Sequence, residues 1–254
     1  MEESLMKTRL SALHSSAYLA AIALGLAFLP QLTHAQPMNI APSGTAILGY
    51  HSTDDNTLGT LYEHVGAMAN VADGDVTTKS DTWGGAVTAV PYDFVGVTWG
   101  TPQGNLSTIK LTMATFVDGG WFGTPLDAFP PAGKALTPDD LLEPRVQFTV
   151  DGGVNWFDLP GVTSDYVTQL TGHNIGGGGF ANPTTTPTAT FYLPPLGADV
   201  DGVRLFGEGG GYAGADPTGF IGVYDLEVWQ VPEPTAVTAF FAVAACLPWL
   251  RRRL

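Results

Sequence analysis

The chain has 254 residues, of which 24 are acidic, 10 basic and one a cysteine, for a formal net charge of −14. Its 44% hydrophobic content can build a core, which excludes a disordered acidic polymer, and the lone Cys excludes an internal disulfide. Lys and Arg are few and scattered and the net charge repels a phosphate backbone, so nucleic-acid binding is excluded.

Residues 1–35 read as a secretory signal helix. Lys7 and Arg9 supply a basic start, residues 17–29 an apolar run, Pro30 a break, and Thr33-His34-Ala35 a small residue for cleavage. The run is short of the roughly 20 residues that span a bilayer, and the alternative is an uncleaved N-terminal anchor.

The middle, residues 36–230, is long enough for one domain. Helical periodicity is nearly absent there. Only residues 57–69 (TLGTLYEHVGAMA) could supply a short helix, weakened by two glycines. A first strand ends near Tyr50, and β-rich runs follow at 93–99, 107–117, 145–150, 188–193, 200–206 and 220–229, separated by Gly, Pro, Asn and Asp. Along 223–228 the period of two shifts face. This punctuation predicts an antiparallel sandwich or barrel. Segments 122–142 and 171–187 read as long loops. Asp-Gly-Gly occurs twice, at 118–120 and 151–153, and both copies read as turns at strand ends. Residues 149–156 also match the Asp-box pattern of β-propeller sialidases, but a propeller needs several copies at regular spacing.

At the C-terminus, Val231-Pro232-Glu233-Pro234 precedes an apolar stretch, 235–250, and then Arg251-Arg252-Arg253. The stretch sits at the short edge of a membrane-spanning helix, and arginines beyond it stay cytoplasmic. This tail, 231–254, resembles the bacterial PEP-CTERM sorting signal. The resemblance implies an exosortase-type protease as partner, cleavage near Pro232-Glu233-Pro234, and release or attachment at the cell envelope. Pro248-Trp249 departs from the usual helix composition, Cys246 reads as a buried inert thiol, and a plain tail anchor is the alternative. Residues 36–234 hold 22 acidic and 5 basic residues (Lys79, Lys110, Lys134, Arg145, Arg204), an acidic domain that attracts divalent cations.

In order, the segments 69–78 with Trp83, 95–97, 107–111, 148–153 with Trp156, 202–205 and 221–228 resemble a discoidin-type domain of the galactose-binding-like family. The resemblance implies an all-β, eight-stranded jelly-roll sandwich over about 43–229. It also implies a structural calcium held by an Asn70 carbonyl, the Asp73 carboxylate, an Asp75 oxygen, Thr78, a Tyr224 carbonyl and the Asp225 carboxylate. Oxygen chemistry agrees, since calcium takes about six to eight oxygens, carboxylate and carbonyl mixed. An Asx-rich turn with no metal is the alternative. Arg204 is expected in a structural ion pair.

The family binds ligands in loops at one end, and carbohydrate recognition uses an aromatic platform beside polar groups. Tyr50, His51, Trp121 and Phe122 are the candidate set; Trp83, Trp99, Trp156 and Trp229 read as core. His51, His64 and His173 lack zinc spacing, and no nucleophile elbow or triad can be argued. Carboxylate pairs such as Asp54-Asp55 or Asp139-Asp140 could serve a hydrolase, but among 22 acids such pairs arise by chance and solvated loop residues are the default. The sequence therefore predicts an exported, non-catalytic surface or matrix protein that binds glycan, with a scaffold protein that has no small-molecule ligand as the alternative.

Overall fold

The computed structural model describes residues 36–84, 91–116, 118–126, 131, 133–175, 186–212 and 219–231. The signal segment 1–35, the tail motif Pro232, Glu233, Pro234 with Arg251, Arg252 and Arg253, Cys246 and Gly176–Gly179 lie outside the described residues. No helix among the described residues is long and apolar enough to cross a membrane.

Thirteen strands form among the described residues. They are β1 (Met38–Asn39), β2 (Thr45–His51), β3 (Thr60–Leu61), β4 (Ser80–Asp81), β5 (Tyr92–Gln103), β6 (Leu106–Met113) and β7 (Gly119–Phe122). The remainder are β8 (Arg145–Thr149), β9 (Phe157–Asp158), β10 (Thr163–Ser164), β11 (Thr188–Tyr192), β12 (Val200–Gly211) and β13 (Gly222–Gln230). One sheet runs β1-β13-β6-β11-β10 with β4 also on β13; the other runs β3-β2-β5-β12-β8-β9 with β7 also on β12. All the pairings between these strands are antiparallel. The expected sandwich of two antiparallel sheets is thus observed, built among the described residues from more strands than the eight expected.

Period-two alternation decides which residues lie between the sheets. Ile109 and Leu111 of β6 and Phe191 of β11 meet Leu48 of β2, Val95 and Val97 of β5, and Val203 and Leu205 of β12 in the main core. On β13 the period breaks at a bulge between Val223 and Asp225. Val223, Leu226 and Val228 consequently all reach the main core, while Tyr224 joins a separate cluster with Ala114, Phe116 and Phe220.

A second small core lies on the opposite face of β2, β5 and β12, where Ile47, Phe94, Trp156 and Phe206 pack together. The β2–β3 loop and the turn after β8 close over it through a Thr57–Asn155 bridge and a Trp156 N–H bond to the Asn56 carbonyl, 2.7 Å. That turn is the Asp-box segment. The Asp151 carboxylate accepts from Thr149 Oγ1 and from the amides of Val154 and Asn155, and Trp156 Nε1 donates to the Gly153 carbonyl.

Three expectations are corrected. Residues 57–69 form no α-helix, because Gly59 and Gly66 adopt φ of 83° and 91° and the chain instead makes β3 and a 3₁₀ turn, Met68–Ala72. The one described α-helix, α1 (Tyr166–Leu170), lies elsewhere. Gly119-Gly120 is strand rather than turn, pairing with β12. Arg204 has no carboxylate partner within ion-pair distance among the described residues: it is fully buried, its Nε donates to Gln147 Oε1 at 2.7 Å and its Nη1 to the Leu58 carbonyl at 3.0 Å. Its guanidinium lies over the rings of Trp156, Phe206 and Phe94 at 4.6, 4.8 and 5.3 Å.

Gly210 of β12 admits the buried Trp121 ring, since a Cβ on Gly210 would overlap Trp121 Nε1. Gly210→Ala should lower stability by about 1–3 kcal/mol, the usual cost of overpacking. Urea unfolding measures it, and an unchanged midpoint would show that the ring does not need the gap.

Candidate functional site

Four segments far apart in the chain converge on one open pocket of about 200 Å³, lined by His64, Val65, Lys79, Asp81, Trp83, Phe116 and Phe220. Backbone pairing brings them together. Ser80 and Asp81 of β4 pair with Val223 and Gly222 at the head of β13. His64 N–H donates to the Asp81 carbonyl at 2.9 Å, fastening the preceding segment to the same strand. Thr82 then exchanges bonds with Ile221: its amide donates to the Ile221 carbonyl and its hydroxyl accepts from the Ile221 amide, each 3.0 Å. Alternation along Lys79-Ser80-Asp81-Thr82-Trp83 turns Lys79, Asp81 and Trp83 to the pocket, while Ser80 and Thr82 are buried.

Rings make the walls. Phe116 and Phe220 stack with centroids 6.1 Å apart, and His64 meets Trp83 edge to face at 4.6 Å. Charged groups share the same opening. Lys79 Nζ lies 4.3 Å from the Phe116 centroid and 3.8 Å from Asp81 Oδ2, and His64 Nδ1 is 3.3 Å from Asp81 Oδ1. Burial raises the Asp81 carboxyl above its ordinary range, opposed by Lys79 and His64. Burial also lifts Asp118 to about 6 and Asp93 to about 8. Ser80 Oγ, Asp93 Oδ2 and Asp118 Oδ1 are buried with no hydrogen-bond partner among the described residues.

None of the four side chains expected to bind sugar lines this pocket. Trp121 and Phe122 are fully buried, which corrects the expectation of an exposed pair: Trp121 Nε1 donates to the Asp140 carbonyl and both rings pack into the main core. Tyr50 is half-buried with its ring 5.4 Å from Tyr62. His51 is buried, with Nε2 at 2.8 Å from Thr57 Oγ1 and Nδ1 accepting from the Thr53 amide. Conversely Trp83, expected in the core, is only half-buried and walls the pocket. The carboxylate pairs serve local structure. Asp54 pairs with Arg145, Asp55 accepts from Thr53 and Thr57, and Asp140 caps its 3₁₀ turn and pairs with Lys134.

The oxygen-rich segment 70–78 does meet the last strand. Gly74 N–H donates to Asp225 Oδ1 at 3.3 Å. Asp73 accepts from the Asp75 amide and from Thr78 Oγ1, Asp75 accepts from Thr77, and Asn70 Nδ2 donates to the Lys79 carbonyl. Asp225 is buried and its carboxyl is pushed up to about 6, by burial first and by the charges of Glu227 and Asp73. This donor set fits a hard cation in kind, since every side-chain donor is an oxygen and Asp225 is held short of positive charge. No three His, Cys, Asp or Glu side chains among the described residues are grouped for a metal, so an ion here would take its other ligands from main-chain carbonyls and hydroxyls.

Neither a family model nor a curated protein matches the chain. Among solved structures it is similar to a family 32 carbohydrate-binding module from Clostridium perfringens NanJ in complex with galactose, at 13% identity and TM-score 0.38, covering 77% of this chain and 100% of the module. Another C. perfringens module of that family, in complex with glcNAc-alpha-1,4-galactose, aligns at 12% identity and TM-score 0.38 over 79% and 99% of the two chains. A structure of the Streptococcus pneumoniae beta-galactosidase BgaA aligns at 12% and 0.39 over 75% and 98%. At identities and TM-scores this low, function has to come from the chain's own residues.

Asp93 holds its proton to about pH 8 when folded and releases it near 3.8 when unfolded. Between those values the folded state binds more protons, so this residue makes stability fall as pH rises. Asp93→Asn, which cannot ionise, should flatten the decline between about pH 5 and about pH 8. Denaturant unfolding at both pH values checks this, and an unaltered slope would count against a buried protonated Asp93.

Proposed function

We propose that this chain is an exported, non-catalytic module that binds glycan in the pocket of His64, Lys79, Asp81, Trp83, Phe116 and Phe220. The observation that carries the reading is the combination of aromatic walls and charged hydrogen-bonding groups in one concave opening. A pyranose ring has an apolar C–H face and a polar hydroxyl rim, which call for ring faces and a few polar side chains respectively. The volume lies below the roughly 300–1,000 Å³ of drug-sized sites, which suits one sugar residue rather than a long oligosaccharide.

The signal segment and the PEP-CTERM-like tail belong to the same reading, with an exosortase-type protease as processing partner and the cell envelope or its exterior as destination. So does a structural calcium beside Asp73 and Asp225, with Asn70, Asp75, Thr78 and Tyr224 contributing main-chain or hydroxyl oxygens. The ion would neutralise Asp225 and tie the loop to β13; its role is stability. The jelly-roll winding of the strands also belongs here. The scaffold reading draws on the β8–β9 hairpin, which exposes Val150, Val154 and Phe157 at 51%, 64% and 44%.

Retention of the full-length chain on immobilised glycans tests the pocket. Trp83→Ala should weaken binding about tenfold or more, the scale of a lost aromatic anchor. Undiminished retention would remove the pocket from the mechanism, and self-association lost on Val154→Ser with no glycan retained at all would favour the scaffold. For the ion, chelation should lower the melting temperature of the wild type and leave Asp73→Ala unmoved; a wild type indifferent to chelator would mean a metal-free turn.

A further inference from the structure

The pocket is apolar at its floor and polar at its rim. Phe116 and Phe220 line it with only 2% and 3% of their surface exposed, whereas Val65 is 43% exposed and His64 is exposed beside it. The two phenylalanines therefore lie deepest. Much of their ring surface is already covered, since they stack on each other and the Lys79 ammonium lies 4.3 Å from the Phe116 centroid. What the floor can still accept is a group about the size of a methyl rather than a whole ring face. The carboxylate nearest that floor is also engaged. Asp81, 4% exposed, has His64 Nδ1 at 3.3 Å from Oδ1, accepts from the Trp83 amide at 3.3 Å and has Lys79 Nζ at 3.8 Å from Oδ2. A hydroxyl pushed to the floor would give up its water to meet carbon, or would have to break into that network. A methyl avoids both costs and gains from leaving water. Trp83, half-buried, and His64, exposed, remain higher in the opening for the C–H face and hydroxyls of the ring that carries the methyl.

We propose that the pocket selects a 6-deoxyhexose, its C6 methyl seated on Phe116 and Phe220 with Val65 and Trp83 at the sides. This rests on the glycan-binding reading and adds the class of sugar. The C6 methyl of a deoxysugar is joined directly to a ring carbon. The methyl of an acetamido or O-methyl group instead arrives with an amide or ether, whose polar atoms need partners at the floor. An aliphatic amino-acid side chain offers the same carbon but no hydroxyls for the rim.

Calorimetric titration of the full-length chain at neutral pH, with sugars paired to differ only at C6, tests it. The pairs are D-fucose with D-galactose, L-fucose with L-galactose, and L-rhamnose with L-mannose; N-acetylglucosamine and an acetylated leucine amide complete the set. In whichever pair binds, the deoxy member should be about tenfold tighter, the scale of a hydroxyl rejected by an apolar pocket. The gap should persist as salt is added, because no charge distinguishes the two sugars. Val65→Ser, at an exposed position of the wall, should narrow it to within about threefold. Equal affinities within the pairs, tighter binding of the hydroxymethyl member, or a preference unchanged in Val65→Ser would each overturn the selection while leaving glycan binding standing. So would N-acetylglucosamine or the leucine amide binding as tightly as the best deoxysugar. A wild type that binds none of the sugars would overturn both. Should Val65→Ser fail to fold, the wild-type pairs decide alone.

Discussion

The pocket depends on two residues of strand pairing, β4 against the head of β13, and on the exchange of hydrogen bonds between Thr82 and Ile221 beside it. Without that short ladder Lys79, Asp81 and Trp83 have no reason to stand next to Phe220, which is about 140 residues away along the chain. A second fastening secures the same segment one loop earlier, where Gly74 N–H meets the Asp225 carboxylate. Both contacts close a long loop, so each fixes geometry that local propensity could not. Neither is large. Their strength comes from the strand they use, since β13 is held along its length by β6 and by the main core.

The same strand separates the pocket from the ends of the domain. β1 pairs with the far end of β13, Met38 opposite Gln230, whereas the pocket is built around Gly222. Eight residue steps of extended strand cover about 27 Å. A chain leaving the domain after Val231, or entering it at Gln36, therefore does so at the end of β13 remote from the pocket.

Much of the sandwich was legible because alternation and turn residues act locally. The runs at 107–117, 188–193 and 220–229 became β6, β11 and β13, and the face shift along 223–228 is the bulge at Val223. The Asp-box segment folded as the turn its Asp and Gly residues specify. Site residues were harder. Trp121 and Phe122 in a glycine-flanked stretch look like a loop tip, but glycine in β12 lets the Trp121 ring approach the backbone, and that gap is a property of packing. The pocket did leave a trace. Lys79, Asp81 and Trp83 stand two apart, which on a strand puts a cation, an anion and a ring on one face. The trace is weak because two residues of β4 make a strand only through their partner on β13.

Buried charge divides the molecule into parts that serve folding and parts that do not. Asp140 is enclosed by Thr137 and Lys134 and organises its own turn. Arg204 is the extreme case. Its unpartnered Nη2 belongs to a guanidinium placed over three aromatic faces, whose negative potential compensates for the missing acceptor. Asp118 has no such compensation. Burial holds the Asp118 carboxyl at about 6, and Lys79, whose charge opposes that shift, also faces Asp81. Folding alone would favour an asparagine or an apolar residue there.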